Sequence, residues 1–189
     1  MNEHRVYVFI DASNIWNAQK TKGMSFDYEK LTSYLKVAHN AKAIKVFYYT
    51  AYPAKETRSY DVSSKHAFYT YLKKGLGFVV RKKPLKQIKV STEEGEGIKE
   101  KGDMDLELTL DVMHNKESFD TALLFTGDSD YMALINYLRN GGKKVYVYSS
   151  KNNISNELRT GSDGYKDVLN IKGDIWGKKL SFRNQKRNR

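Results

Sequence analysis

VYVFIDASNI (residues 6–15) is a run of β-branched and aromatic residues that ends abruptly at Asp11. Such an unbroken apolar run is typical of a strand that is buried on both faces, as in a parallel sheet. Asp11 then stands at the carboxyl end of the strand, where open α/β sheets place their ligands. A second interpretation is that Asp11 only caps the helix that follows. The positions of the other acidic residues are needed to choose between the two.

Four further segments predict strands of the same sheet, and helical patterns lie between them. The strands are predicted at AIKVFYYTAY (43–52), GFVVRK (77–82), TALLFTG (121–127) and KKVYVYSS (143–150). The helices are predicted over residues 27–38, 63–74, 103–113 and 128–142. In the third helix, Leu106, Leu110 and Met113 fit one face. This alternation predicts the α/β class, as a three-layer α/β/α sandwich around a mainly parallel sheet of about five strands.

Two segments depart from the alternation and set the predicted domain limits. Residues 81–101 contain Pro84, glycines and a switch from basic to acidic charge, which predicts an arm or a hairpin inserted into the domain. The chain ends in GKKLSFRNQKRNR (177–189), which has no acidic residue and is typical of a solvated basic tail. We therefore predict one domain over residues 1–172 and a basic tail over residues 173–189.

The charge balance indicates the class of partner. The 33 Lys and Arg residues against 22 Asp and Glu give a formal net charge of +11 and a sequence pI near 9.5. Such an excess favours polyanions, and without a strongly amphipathic basic helix it favours nucleic acid over a membrane surface. No apolar run approaches the roughly 20 residues that cross a bilayer, and the first strand leaves no room for a signal peptide. The absence of cysteine excludes thiolate chemistry and is compatible with a cytoplasmic location.

Three acidic clusters fall where predicted strands end or a predicted helix begins. Their members are Asp11, the TGDSD pair Asp128 and Asp130, and the KGDMDLELTLD acids Asp103, Asp105 and Asp111. Right-handed crossovers bring the carboxyl ends of parallel strands to one edge of the sheet. Carboxylates gathered there repel one another unless they share a cation, and Mg²⁺ and Mn²⁺ prefer such oxygen ligands. Paired ions of this kind hydrolyse phosphodiesters, which makes a metal-dependent nuclease one interpretation.

Each acidic cluster also has a purely structural interpretation. Asp128 could cap a helix, and Asp130 could be favoured in its first turn by the helix dipole. Asp103, Glu107 and Asp111 recur at every fourth residue, which also suits the solvent face of a helix. Other phosphate chemistries are disfavoured, because no G-x-x-x-x-G-K-[ST] loop occurs and Ser13 stands where an aspartyl-phosphate hydrolase needs a second aspartate.

Four stretches, taken in their order and spacing, resemble the NYN domain family and within it the LabA-like branch. They are FIDASNIWNAQ…FDYEKL, EKGDMDLELTLDVM, LLFTGDSDY and GKKVYVYSS…ISNELRTGSDGY, and the resemblance runs from about Val6 to about Ile171. It implies a PIN-like, Rossmannoid α/β fold and a metal-dependent ribonuclease activity. The chain departs from the family pattern at Ala12, where glycine is common, and at Met132 and Ala133, where proline is common. Neither departure removes a carboxylate.

The resemblance also implies which residues form the site. The catalytic set carried over is Asp11, Asn14, Asp105, Asp128 and Asp130. Of these, the four aspartates are the implied ligands of Mg²⁺ or Mn²⁺, with Asp103 and Asp111 as further candidates. Asn14 would orient a carboxylate, a water molecule or a phosphate oxygen without adding charge.

The basic residues complete the predicted function. We expect backbone phosphates to be bound by Lys82, Lys83, Lys86, Lys89, Lys178, Lys179 and Arg183. Trp16 and Trp176 are interpreted as core or interface residues rather than as platforms for base stacking. The sequence thus predicts a metal-dependent ribonuclease that acts on single-stranded RNA. The alternative is a regulatory protein that binds nucleic acid without cleaving it. A toxin-like nuclease controlled by a protein partner also stays open. The sequence is compatible with a homodimer.

Overall fold

A computed structural model describes residues 3–53, 63–92, 95–171 and 175–180 of the chain. Its strands are β1 (Arg5–Asp11), β2 (Met24–Phe26), β3 (Ala43–Tyr52), β4 (Val79–Pro84), β5 (Lys86–Thr92), β6 (Gly95–Lys101), β7 (Thr121–Phe125), β8 (Lys144–Ser149), β9 (Gly164–Asp167) and β10 (Trp176–Lys179). Among these residues, six strands form one sheet in the order β4-β3-β1-β7-β8-β9, and every neighbouring pair is parallel. The predicted parallel α/β sheet is confirmed, with β9 as an additional strand. Its sequence, GYKD, carries no apolar run, because it is a short edge strand that is only partly buried.

Helices cover both faces of this sheet. They are α1 (Ala12–Lys22), α2 (Tyr28–Ala38), α3 (Ser63–Thr70), α4 (Asp105–His114), α5 (Met132–Asn140) and α6 (Asn156–Gly161). A π-helical turn at Tyr71–Gly75 continues α3, and a 3₁₀ turn at Ser129–Tyr131 precedes α5. Ile15 of α1 and Leu31 of α2 belong to the core cluster on one face, and Leu108 of α4 belongs to the cluster on the other. The three-layer α/β/α arrangement is therefore confirmed.

The central strands are buried on both faces, as their unbroken apolar runs predicted. All five residues of β7 are buried, with Leu123 packed in the first cluster and Leu124 in the second. Val8 and Phe9 of β1 divide in the same way between the two clusters. A side chain of this size contributes about 1.5–3 kcal/mol when fully buried. The two strands are thus held firmly in register, which fixes the edge at which both end.

Helix α4 forms where it was predicted, but the apolar face by which it was recognised, that of Leu106, Leu110 and Met113, is not the face that it buries. Leu106, Leu110 and Met113 are 66%, 56% and 45% exposed, whereas Leu108 and Val112 are buried. The alternation of leucines in DLELTLD offers two apolar stripes on one helix, and only packing against the sheet selects between them. The selected stripe determines which acids of α4 face the carboxyl edge of the sheet.

Two segments lie outside the predicted alternation of strands and helices, the insertion at residues 81–101 and the basic tail, and both contain strands. In the predicted insertion, β5 and β6 pair antiparallel from Lys86–Lys101 to Thr92–Gly95. In the predicted tail, β10 pairs antiparallel with β2, and the ring of Trp176 stacks on Phe26 at 4.5 Å between centroids. Residues 175–179 are therefore part of the folded domain, although the basic composition of this segment predicted a solvated tail. None of the helices in the described residues is both long enough and apolar enough to cross a bilayer.

Candidate active site

The acidic residues emerge at the carboxyl edge of the central sheet. Asp11 is the last residue of β1, and Ile10 beside it pairs with Phe125, the last residue of β7. Asp128 follows Phe125 by three residues, and Asp105 begins α4, which packs across β1. Three separate segments thus bring an aspartate to one edge, as the crossover rule predicted.

Asp11 is almost fully buried and accepts three hydrogen bonds. Its Oδ1 accepts from the Ser13 backbone N–H at 3.0 Å and from the Ser13 hydroxyl at 2.7 Å, and its Oδ2 accepts from Asn14 Nδ2 at 2.7 Å. These donors offset the cost of burying a carboxylate. The capping interpretation of Asp11 therefore holds for this residue, since Asp11 is the N-cap of α1. Capping still leaves a carboxylate at the edge of the sheet.

Asn14 connects three segments of the site. Its Oδ1 accepts from the backbone N–H of Gly127 at 3.2 Å and from Asn153 Nδ2 at 2.8 Å, while its Nδ2 donates to Asp11. Asn17, one turn further along α1, donates to Asn153 Oδ1 at 3.2 Å. Asn14 thereby holds α1, the loop after β7 and the loop after β8 together without adding charge.

Asp128, like Asp11, caps a helical turn and also places a carboxylate at the carboxyl edge of the sheet. Its Oδ1 accepts from the backbone N–H of Asp130 at 3.1 Å, which makes it the N-cap of the 3₁₀ turn before α5. Within the described residues, its other oxygen, Oδ2, accepts no hydrogen bond. The side chain of Asp130 is exposed. One oxygen of Asp128 is therefore available to a ligand.

Asp105 is coupled to the same site through Tyr131. The Tyr131 hydroxyl donates to Asp105 Oδ1 at 2.6 Å, and the tyrosine itself is 2% exposed. Burial raises the pKa of Asp105; the hydrogen bond from Tyr131 opposes this, and the charges of Asp11, Asp103 and Asp128 raise the pKa further. The charges of three neighbouring carboxylates thus disfavour the ionised form of Asp105, an effect that a bound cation would relieve.

The arrangement suits a hydrated hard cation. In the residues that the structure describes, no three acidic or histidine side chains form a ready-made metal group. Mg²⁺ usually retains several waters and is held by one or two carboxylates together with substrate phosphates. Asp11, Asp105 and Asp128 supply only oxygen donors, and the charges of Asp11 and Asp128 raise the pKa of Asp105. The chemistry of the donor set therefore fits Mg²⁺ or Mn²⁺ and does not fit a thiolate or imidazole site.

Asp111 makes a different set of contacts. Its carboxylate accepts two hydrogen bonds from the Arg81 guanidinium, at 2.8 and 3.0 Å, and one from the Tyr49 hydroxyl at 3.1 Å. The hydrogen bond to Asp111 raises the pKa of Arg81, and burial, followed by the charge of Asp111, raises that of Tyr49. These contacts tie α4 to β3 and β4, so a structural role accounts for Asp111.

The variant Asp111→Asn is expected to lose about 1–2 kcal/mol of unfolding free energy and to retain any cleavage activity. The loss follows because a neutral amide weakens the charge-assisted hydrogen bonds to Arg81 and Tyr49. Urea unfolding and RNA cleavage measure the two quantities, and Arg81→Gln is the matched control because it removes the same ion pair from the other side. Unchanged stability with lost cleavage would instead assign Asp111 to the metal site.

The predicted phosphate-binding lysines lie on two separate surfaces. Lys82, Lys86 and Lys89 are exposed on β4 and β5, whereas Lys83 is held by Glu107 at 2.8 and 3.0 Å. On β10, Lys178 and Lys179 are exposed, and the next residue, Leu180, donates its backbone N–H to the carbonyl of Gly23 at the end of α1. That end lies roughly 16 Å along the helix from Asp11, at 1.5 Å per residue. Arg183 lies outside the described residues.

Tyr131 and Asn153 belong to the site but were not identified from the sequence. Tyr131 directly follows the TGDSD motif, and that adjacency was the available signal. Asn153 reaches Asn14 across 139 residues of sequence, and nothing in its local pattern indicates the contact.

Comparison with known proteins identifies relatives over most of the chain. The model of the NYN domain matches residues 5–169. The low amplitude and bright protein LabA of Synechococcus elongatus is 28% identical over 171 residues, which cover 90% of this chain and 87% of that protein. A crystal structure of a protein of unknown function from Vibrio parahaemolyticus has the same fold, with a TM-score of 0.66 and 21% identity over 92% of this chain and 96% of that one.

Proposed function

This chain belongs to the NYN domain family, which includes nucleases, and we propose that it is a divalent-metal-dependent ribonuclease that hydrolyses RNA phosphodiester bonds. The observation that carries the proposal is the convergence of Asp11, Asp105 and Asp128 at one edge of the sheet, in a chain with a formal net charge of +11. Acidic residues gathered on a basic protein suit a cation site that is surrounded by a phosphate-binding surface.

Each residue of the site has a proposed role. Asp11, Asp105 and Asp128 would hold Mg²⁺ or Mn²⁺, with the exposed Asp103 and Asp130 adding negative charge around them. The ion, when bound, would neutralise charge that develops on the phosphate. Asn14 fixes Asp11 through Oδ2, and Tyr131 fixes Asp105 through Oδ1. Both contacts orient the carboxylates without neutralising them.

The lysines beside the site supply the proposed contacts to RNA. Lys82 lies near the carboxyl end of β4, and Lys86 begins the hairpin strand β5 that follows it. Both are exposed, so they can bind backbone phosphates of a strand that approaches the carboxylates. The charge of Lys83 is compensated by Glu107, so we expect it to contribute less. Such binding should weaken as salt rises, because phosphate contacts release counterions.

Cleavage of an end-labelled, mixed-sequence single-stranded RNA is expected with Mn²⁺ or Mg²⁺ and is expected to be absent with EDTA. The reason is that the cation neutralises the charge that develops on the phosphate during hydrolysis, which the carboxylates alone cannot do. Salt-sensitive RNA binding that is equal with EDTA and Mg²⁺, without cutting, would support a non-catalytic RNA-binding protein instead. One observation favours this second candidate: the described residues contain no ready-made three-ligand metal group.

A further inference from the structure

A cavity of about 400 Å³ opens beside the carboxylate edge. Its lining includes Asp11 and Asp103 together with the aromatic residues Trp16, Tyr48 and Tyr69. Thr50 and Tyr69, whose hydroxyl groups are 3.4 Å apart, also line it. Aromatic surface with a few polar groups is typical of a small-molecule or nucleobase site.

Trp16 is the exposed aromatic side chain of this wall. It lies one helical turn after Ala12 and Ser13 on the same face of α1, so it is placed directly beside the residues that follow Asp11. Its side chain is 42% exposed, and within the described part of the chain it stacks on no other ring. Trp176, by contrast, is 7% exposed and stacked on Phe26. Trp176 is thus a core residue, which is one of the two roles predicted for it. The exposure of Trp16 contradicts a core role, and the interface role that was predicted as the other possibility stays a prediction.

An exposed tryptophan alone would need no explanation, since single apolar residues are common on protein surfaces. Here the exposed ring shares a cavity with Asp11, which we propose to be part of the metal site. A nucleotide whose phosphate lies at Asp11 would therefore have its base within reach of this cavity. Bases stack on aromatic side chains with little regard to sequence, because every base has a π-face.

We propose that this cavity receives one unpaired base of the RNA strand, stacked on Trp16, and that it makes the site selective for single-stranded RNA. The proposal rests on the proposed function, because the choice of ligand follows from a phosphate at the carboxylates. A base in a duplex is already stacked and paired, so it cannot enter the cavity without being extruded. Trp16 is accordingly a specificity-determining residue and not a catalytic one.

The test uses the fluorescence of Trp16 with the full-length chain in EDTA, so that cleavage plays no part. The variant Trp176→Phe leaves Trp16 as the sole tryptophan and keeps an aromatic ring against Phe26. A mixed-sequence single-stranded RNA is expected to quench this fluorescence, and a blunt RNA duplex of the same length is not. Trp16→Ala is expected to weaken single-strand binding roughly 5- to 150-fold, measured by anisotropy of a labelled RNA in the otherwise wild-type chain. Trp16→Phe should restore most of it, and affinity for the duplex should not change.

Equal single-strand affinity of Trp16→Ala and the wild type would overturn the proposal, as would unchanged fluorescence at saturating RNA or no RNA binding at all. The anisotropy measurement decides the matter even if Trp176→Phe does not fold. Because no metal is present, the outcomes separate from those of the ribonuclease proposal. Quenching of Trp16 in a protein that never cuts RNA would support the base site and contradict the ribonuclease activity. Metal-dependent cutting without any effect at Trp16 would support the activity and contradict the base site.

Discussion

Asp128→Asn is expected to reduce RNA cleavage by roughly 10²- to 10⁴-fold while the protein stays folded. Asparagine retains the oxygen that accepts from the Asp130 backbone N–H, so the cap before α5 is kept. It removes the negative charge and the oxygen Oδ2, which accepts no hydrogen bond within the described residues. A lost metal ligand costs several kcal/mol of transition-state stabilisation, and each 1.36 kcal/mol is about tenfold in rate.

The measurement is the rate of cleavage with Mn²⁺ and with Mg²⁺, beside thermal unfolding of the same preparation. Asp27→Asn is the matched control, because Asp27 caps α2 by accepting from the Lys30 backbone N–H at 3.1 Å and is not part of the acidic cluster. We expect Asp27→Asn to cut as fast as the wild type. If Asp128→Asn does so too, Asp128 is not a ligand and the proposed site has to be redrawn.

Asp11 is a less suitable residue for this experiment than Asp128. Its Oδ1 accepts from Ser13 and its Oδ2 accepts from Asn14 Nδ2. In Asp11→Asn, the amide oxygen can keep the hydrogen bonds from Ser13. The new NH₂ group then faces the NH₂ group of Asn14, so two donors meet. Asn14 cannot simply reverse, because its oxygen is held by Gly127 and Asn153. Asp11→Asn would therefore lose cleavage and stability together, and the two effects could not be separated.

The carboxyl edge could be predicted from the sequence because burial on both faces leaves little freedom in the central strands. The apolar runs of β1 and β7 fix these strands side by side, and Asp11 and Asp128 follow from their ends. The edge strand β9 could not be found in the same way, since only one neighbour holds it and its residues are half-exposed. Sequence patterns thus report strongly buried elements and say little about weakly buried ones.

The partners of the acids on α4 could not be predicted, because they depend on how the helix is rotated against the sheet. DMDLELTLD offers acids on several faces and two leucine stripes. Burial of Leu108 turns Asp105 to Tyr131, Glu107 to Lys83 and Asp111 to Arg81. Each of these contacts joins residues more than 20 positions apart, so no local spacing encodes it.

Gly127→Ala is expected to destabilise the protein by about 2–3 kcal/mol, which lowers the melting temperature by roughly 4–12 °C. A Cβ at residue 127 would overlap the carbonyl oxygen of Asn153 and would lie 2.9 Å from Ser149 Oγ. The obstacle is backbone and cannot rotate away as a side chain could. Gly177→Ala is the matched control, because a Cβ there would meet nothing nearer than Ser25 Oγ at 3.3 Å, and we expect it to change stability much less.

The same substitution should also reduce cleavage, although it changes no carboxylate. Gly127 donates its backbone N–H to Asn14 and accepts from the Ser155 N–H at 3.0 Å, and Asn153 donates to the same Asn14 oxygen. Pushing these two segments apart frees Asn14, which then no longer holds Asp11 Oδ2 in place. Urea unfolding and the cleavage assay on Gly127→Ala measure both effects below the melting temperature. A variant that is destabilised but cuts at the wild-type rate would show that the Asn14 connection supports the fold and not the site.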